Sequence, residues 1–423
     1  MQAVARSWPF VFPMLAIAVT PVGGVAHAQS SVVRSAALAL ERARDPAPLR
    51  HRIRARVRQG LAAAWAEEVW PDPMIEARVW GVAPDLVRAP PEQMMIMASQ
   101  HVPLGGAPSA AAALQTLEAR AARIEGALEQ HARAQQAELL YVEAWFAARR
   151  AELLAGWART SRELRDARAA RASAAEHAQL VAIEADLERV AAEVAGAQAR
   201  RDEALEQLRE LAGWPESVVL QPPAELPLPA EPSSLQEMLA RASRDRPELA
   251  AADLVAERAG ALEALGRARR VPSLRVALGA MLVHGRHPGW MLEAGVELPV
   301  RKASWRGLHA RARATAEEAR ALREQALRQI RSEVAGAYRR LRAERERAER
   351  LRTTVLPALE RAREVALAAY AAGGTLEPLV EALAALRDAD LERLEAHAEA
   401  LRAAVELTHA TGAPRHDFGE RAP

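Results

Sequence analysis

Two pairs of side chains have a spacing that invites chemistry. His284 and His287 stand three apart in the stretch His284-Gly285-Arg286-His287-Pro288-Gly289. Imidazoles at that spacing can touch a transition metal. A stable site needs three or four ligands, and no further His or carboxylate cluster lies nearby. They read as a solvated loop tip. Glu377 and Glu381 are four residues apart and share one helical face. Two readings of them stay open: a solvated face balanced by Arg, or a carboxylate ring where several copies of the chain surround an entrance. The chain has no Ser/His/Asp grouping, no HExxH and no phosphate loop. It has no cysteine, hence no disulfide, no thiolate metal site and no lipidated N-terminal Cys. No catalytic, cofactor-binding or metal residue is assigned, and no enzyme is expected.

The elements that must carry such residues are mostly helical. Of 423 residues, 50% are hydrophobic but only 4% aromatic, and alanine dominates the apolar half. Large globular cores use bigger side chains, so thin or repetitive helical layers are expected. Lys302 is the sole lysine. The 57 basic and 55 acidic residues leave +2, which gives no nucleic-acid footprint. Near the start, Arg6 precedes the apolar stretch Trp8–Val19, and small residues end in Ala26-His27-Ala28. This reads as a secretory signal over residues 1–28, cleaved before Gln29. About a dozen apolar residues are too few for a membrane helix, which takes roughly 20.

An offset of 199 residues aligns the two halves. Pro48 falls on Pro247, Pro73 on Pro272, Ile75 and Val79 on Leu274 and Leu278, and Leu180-Val181 on Leu379-Val380. One offset held across separated segments indicates duplication. The organisation is a first repeat over 29–212, a Pro-rich connection over 213–233, a second repeat over 234–412 and a tail over 413–423. Each repeat opens with a helix of about 40 residues (31–69 and 234–270), continues with two strands, and ends in more than 100 helical residues broken once. Leu327, Ile330, Val334, Ala337 and Leu341 step by three and four, resuming at Ala348, Leu351 and Val355. Leu391, Leu394, Ala398, Leu401 and Val405 do the same on the return. Pro357 should kink the outgoing arm. The breaks lie near 172–178 and 371–378, the second marked by Gly373-Gly374 and Pro378. An outgoing arm over 303–370 would measure roughly 100 Å. Two short helices stacked end to end match it, which suggests a bundle of long helices and stacked short pairs.

Residues 290–298 alternate with period two. Leu292, Ala294, Val296 and Leu298 face one way, while Glu293, Gly295 and Glu297 face the other. Residues 274–282 form its partner, with Val276 and Leu278 on the apolar side. Met74–Trp80 and Met94–Val102 are the strands of the first repeat, joined by a loop with Pro84, Pro90 and Pro91. Strands of nine to eleven residues, apolar on one side, suit a membrane barrel. A small soluble hairpin packed on helices fits the same pattern. In the membrane reading four strands cannot close a barrel, since about eight is the minimum. Open edges are forbidden in lipid, so several chains must pool their strands.

With these features in view, the chain resembles the TolC-type outer-membrane efflux family over 31–412. The resemblance is carried by Arg246-Pro247-Glu248-Leu249, Val271-Pro272-Ser273-Leu274, Gly295-Val296-Glu297-Leu298-Pro299, Tyr370-Ala371-Ala372-Gly373 and Ala410-Thr411-Gly412. Pro71-Asp72-Pro73 and Val102-Pro103-Leu104-Gly105-Gly106 resemble the heavy-metal efflux branch. The resemblance implies a homotrimer whose protomers each give four strands to a 12-stranded outer-membrane β-barrel. The long antiparallel helical hairpins would form a periplasmic α-barrel, giving a mainly α chain with a small β part. It also implies a periplasmic adaptor and an inner-membrane pump as partners, and a passive conduit as the role. Glu381 matches one acidic position of the family, but Pro378 stands near the other. The strands lack the usual Tyr and Phe girdles, although Trp70, Trp80 and Trp290 lie near their ends.

The helix breaks lie farthest from the strands and so belong at the opposite end. Ala172, Ser173, Ala372, Gly373, Gly374 and Thr375 are the expected adaptor-docking tips, and Glu377 and Glu381 the candidate entrance ring. Val276, Leu278, Leu292, Ala294, Val296 and Leu298 are expected to face outer-membrane lipid. Two other classes fit parts of the pattern. A periplasmic adaptor would need lipoyl and barrel regions around a single helical hairpin. A structural periplasmic coiled coil would not need apolar-faced strand pairs at matching places in both halves. The identity of the cargo is not encoded in these features.

Overall fold

The computed structural model describes residues 32–80, 93–169, 174–283, 286–300 and 302–413. The leader, the loop with Pro84, Pro90 and Pro91, the tip residues Ala172 and Ser173, His284, and the tail beyond Ala413 lie outside the described residues. In chain order the elements are β1 (Val32–Ser35), α1 (Ala36–Arg44), α2 (Ala47–Glu68), β2 (Met74–Trp80), β3 (Gln93–Pro103), α3 (Ala107–Ala169), α4 (Ala174–Leu211) and β4 (Val218–Gln221). There follow α5 (Leu235–Asp245), α6 (Pro247–Ala268), β5 (Ser273–Val283), β6 (Arg286–Glu297), α7 (Lys302–Arg350), α8 (Leu356–Ala371) and α9 (Glu377–Ala410). The order helix, helix, two strands, long helix, return helix occurs twice.

Each opening helix is two helices rather than one. Pro46 and Arg246 hold extended backbone (φ −70°, ψ 140° and φ −74°, ψ 124°) between α1 and α2 and between α5 and α6. A residue before proline is disfavoured in the α region, which explains the extended conformation of Arg246 ahead of Pro247. The first four described residues are not helical either. Val32–Ser35 pair in parallel with Val218–Gln221, so β4 lies inside the Pro-rich connection.

From Lys302 to Ala371 the chain is helical throughout, about 105 Å at 1.5 Å per residue. A π-helical turn, Leu351–Val355, joins α7 to α8 immediately ahead of Pro357. Proline has no N–H to give to the carbonyl four residues back, and the wider turn absorbs that loss. The extra residue also shifts the helix phase by about 100°. Val355, which continues the heptad seam in sequence, is therefore exposed at 38%, while Leu351 is buried.

The shaft is built by short helices stacked against long ones. α2 and α4 pack on α3, and α6 and α9 pack on α7. The stacked ends are tied by arginines. Arg42 Nε donates to the Ala212 carbonyl at 2.9 Å, just past α4. Arg246 Nη1 donates to the His409 carbonyl at 3.1 Å, in the last turn of α9. α3 also packs on α6 and α9, joining the two halves. The core between them combines Ala36, Ala39, Ala137, Ala144 and Ala398 with Tyr141, Leu208, Leu226, Leu401 and Val405. Alanine there lets helices approach closely, so the burial is spread along the shaft instead of collected in one globular centre.

Candidate functional site

At one end of the shaft, β2, β3, β5 and β6 form a four-stranded antiparallel sheet in that order. The central pairing, β3 with β5, joins strands of different halves. β6 begins at Arg286, so residues 286–289, a loop in the sequence reading, are strand. The ladder shifts register at Leu282/Val283, with Leu282 opposite Pro288 and Val283 opposite Arg286. The last residue of β6 is Glu297, and Leu298 follows the strand.

The register sorts the side chains by face. Ile75, Ile96, Leu278 and Leu292 stand on one face in neighbouring strands, with Val276 beside Ala294 and Leu274 beside Val296. This face is open: Ile75 is 77% exposed, Leu278 54%, Leu292 75% and Val296 62%. Ala294 and Leu298 are also exposed, and Val276 is at the edge of that class. The opposite face carries Glu76, Arg78, Arg275, Glu293 and Glu297. Arg275 Nη2 lies 3.8 Å from Glu76 Oε2, and His101 Nδ1 lies 3.6 Å from Glu297 Oε2. A contiguous apolar face of this size on a single chain marks an interaction surface. Among the described residues, both outer strands keep one unpaired edge.

At the other end, α8 reverses into α9 through Ala372, Gly373, Gly374 and Thr375, all exposed. Gly373 has φ +95°, a left-handed conformation in which a Cβ is strained. Gly374 N–H donates to the Ala369 carbonyl at 3.0 Å and Gly373 N–H to the Tyr370 carbonyl at 3.0 Å, a glycine C-cap. Gly374 has a different constraint: a Cβ there would sit 2.8 Å from the Ala369 carbonyl oxygen. Beneath the reversal, Leu376 is fully buried with Tyr370 and Leu379, against Leu164 of α3. Glu377 and Glu381 are exposed on the first turns of α9 and form no ion pair with another described residue. About three turns further along, Arg387 Nη1 reaches Asp186 Oδ2 of α4 at 2.6 Å. Of the loop pair, His284 lies outside the described residues, as does the side chain of His287.

Sequence reasoning missed the polar cluster at mid-shaft. Glu138, midway along α3, is fully buried, with Oε2 2.9 Å from His409 Nε2 and Oε1 accepting from Arg44 Nη2 at 2.7 Å. His131 Nε2 meets the His409 carbonyl at 3.0 Å. Arg246, 8% exposed, pairs with Glu248 and Glu333, both at 2.8 Å. Arg44, Glu138, His409, Arg246 and Glu333 thus join α1, α3, α9, the α5–α6 junction and α7 in one network. Burial, followed by electrostatic repulsion from the neighbouring His409, holds the His131 imidazole below its ordinary pKa of 6.5. Buried charges survive only when paired, as here. In sequence these residues look like the many solvated Arg and Glu around them.

Among the described residues no helix is long and apolar enough to cross a membrane. No protein-family model matches the chain. No curated protein sequence matches it either. Solved structures do. A membrane protein from Pseudomonas aeruginosa superposes with a TM-score of 0.72 at 16% identity, over 97% of this chain and 98% of that one. CusC, described in terms of transmembrane channel formation, gives 0.72 at 14% identity over 91% and 93%. The MtrE outer-membrane channel of Neisseria gonorrhoeae, in its open state, gives 0.72 at 17% identity over 90% and 89%. At such identities the likeness concerns the path of the backbone. Over nearly its whole length, this chain has the fold of the TolC-type outer-membrane channels.

Proposed function

We propose that the chain is the outer-membrane channel subunit of a tripartite efflux or secretion system. In this reading three copies pool their sheets into a 12-stranded barrel, and their shafts form a periplasmic α-barrel. The apolar sheet face is the observation that carries it. A four-stranded sheet with one open aliphatic face and two free edges is unstable in water and incomplete in lipid. Pooling the strands of several copies satisfies both conditions, and the neighbours of the same fold include outer-membrane channels. Exposed Trp65, Val181 and Val365 on the shaft, at 77%, 64% and 70%, fit contacts between copies or with an adaptor. The repeat boundaries at 29–212 and 234–412 and export with cleavage after Ala28 belong to the same proposal.

The tips Ala172, Ser173 and Ala372–Thr375 would receive a periplasmic adaptor. Glu377 and Glu381 would stand at the entrance, repeated threefold. The channel would be a passive conduit, not an enzyme, with its cargo delivered by an inner-membrane pump through the adaptor. The test is fractionation followed by electrophoresis with and without boiling. A heat-modifiable trimer in the outer membrane, conducting ions in a planar bilayer, is the expected result. A soluble periplasmic monomer would leave an adaptor or structural coiled coil as the better reading. So would an inner-membrane location.

A further inference from the structure

The chain has nine methionines, six of them in the four-stranded sheet. They are not spread evenly over its two faces. The register puts Met74, Met95, Met97, Met281 and Met291 on the face that also carries Glu76 and Glu293, and only Met94 on the aliphatic face. Four of the five are contiguous. Met95 lies directly across from Met281, and Gly279 stands between Met97 and Met291 in the next row. Gly279 makes room for one of them, since a Cβ there would sit 2.5 Å from Met97 Cγ. Met95 and Met97 are 4% and 1% exposed, and Met281 and Met291 pack against them as one cluster with Ala277.

Simple apolar filling does not account for this choice. β-branched and aromatic residues fit strands best, and the other face of the same sheet uses Ile, Val, Leu and Trp. Unbranched thioethers are more flexible, and their sulfur is a soft donor. Most charged groups of the same face have partners: Arg78 and Arg275 lie by Glu76, and His101 lies by Glu297, which leaves Glu293 as a carboxylate with no ion pair among the described residues. One carboxylate is too few for a hard cation, which takes about six or more oxygen ligands. Neutral thioethers select soft d¹⁰ cations.

We propose that Met95, Met97, Met281 and Met291 form a binding patch for a soft monovalent cation, Cu(I) or Ag(I). That this patch lines the passage rests on the proposed function, because it lies on the sheet face opposite the aliphatic one. In a trimer it would recur three times around the barrel. Met281 and Met291 are partly exposed and would admit the ion to the buried Met95 and Met97, and neutral ligands would hold it without the grip of a charged site.

Full-length protein purified in detergent would be titrated with Ag(I) against a competing chelator, and its bound silver examined by X-ray absorption. The expected result is about one Ag(I) per chain with a sulfur-only first shell. In selenomethionine-labelled protein the shell becomes selenium, a readout that needs no mutation. The double variant Met95→Leu/Met281→Leu should weaken Ag(I) binding at least tenfold. Met238→Leu, in α5 and outside the patch, should not change it. Silver scattering from oxygen or nitrogen would overturn the inference, as would equal affinity in the double variant. Trimer formation and conductance, read separately, report on the channel proposal. A conducting trimer that ignores Ag(I) would sink the metal patch alone.

Discussion

Arg387 of α9 and Asp186 of α4 form a 2.6 Å ion pair between the return helices of the two repeats. Arg387 is largely enclosed, with 12% of its side chain exposed, and it also contacts Asp388 at 3.1 Å. Asp186 additionally accepts from Arg189. The pair lies roughly 15 Å along α9 from its start at Glu377. Trp157, Leu164, Ile183, Val380 and Leu383 surround it and line a cavity of about 300 Å³.

In the proposed channel, a tie at that height would limit how far the tips of the two hairpins separate. Arg387→Ser should remove it while costing on the order of 1 kcal/mol in stability, since Asp186 is a third exposed. In bilayers the variant should conduct more than the wild type, and Asp186→Asn should behave alike. Unchanged conductance in both variants, with trimers intact, would assign the pair a purely structural role.

The reversal at Gly373 and Gly374 is expected to be rigidly specified by two different constraints. Gly373→Val forces a β-branched residue into φ +95°, and Gly374→Val pushes a Cβ into the Ala369 carbonyl. The sheet lies about 100 Å away, so assembly and barrel should survive in the double variant. Adaptor docking, and with it efflux, should fail. Photocrosslinks from Ala372 or Thr375 to the adaptor in cells would report the contact. Crosslinks confined to the Gln221–Pro232 stretch would move the docking site to mid-shaft.

What was legible in the sequence depended on periodicity. Leu292 and Glu293 announce a two-faced strand because alternation needs only neighbours. Steps of three and four do the same for helices, as Ile330, Val334 and Leu341 show by being buried. Features that depend on partners distant in the chain left little trace. Val32–Ser35 are too short to read as a strand until Val218–Gln221 pair with them. Pro46 could have signalled the break between α1 and α2, but alanine and leucine on both sides read as continuous helix. Glu138 and His409 are 271 residues apart, and nothing local separates them from solvated neighbours. The one-sided methionines emerge only when β3 and β5 are placed in register.

Stability of the shaft should fall in mild acid. His131 and His397 both have pKa values lowered mainly by burial, so the folded chain holds them neutral. The groups around His131 are His409, Arg246 and Glu248. Around His397 they are the Trp145 ring, Arg393, Glu225 and the Pro227 carbonyl. A lowered folded pKa means the unfolded chain takes up protons first, near pH 6.5. The stabilisation is therefore complete above pH 6.5 and lost as pH falls below it. Thermal unfolding should shift to lower temperature between pH 7 and 5. His131→Gln, whose amide can still donate to the His409 carbonyl, should flatten part of that slope. An identical pH profile in the variant would show that His131 does not contribute.

The faces of the sheet can be told apart residue by residue. Leu292 and Glu293 are adjacent and both exposed, Leu292 on the aliphatic face and Glu293 on the charged one. In a barrel wall one of them meets lipid and the other water. Spin labels at the two positions, in protein reconstituted into vesicles, should respond oppositely: oxygen should relax position 292, and a water-soluble nickel chelate position 293. The same reasoning covers Val276, Leu278, Ala294 and Val296. Leu292→Arg or Val296→Arg should each cost about 2–4 kcal/mol if the position lies near the bilayer midplane, and less toward either interface. Glu293→Arg should cost far less, because that side chain keeps its water. A soluble hairpin packed on helices predicts no such asymmetry. Equal access of the nickel chelate to 292 and 293 would exclude a lipid-facing wall and, with it, the barrel.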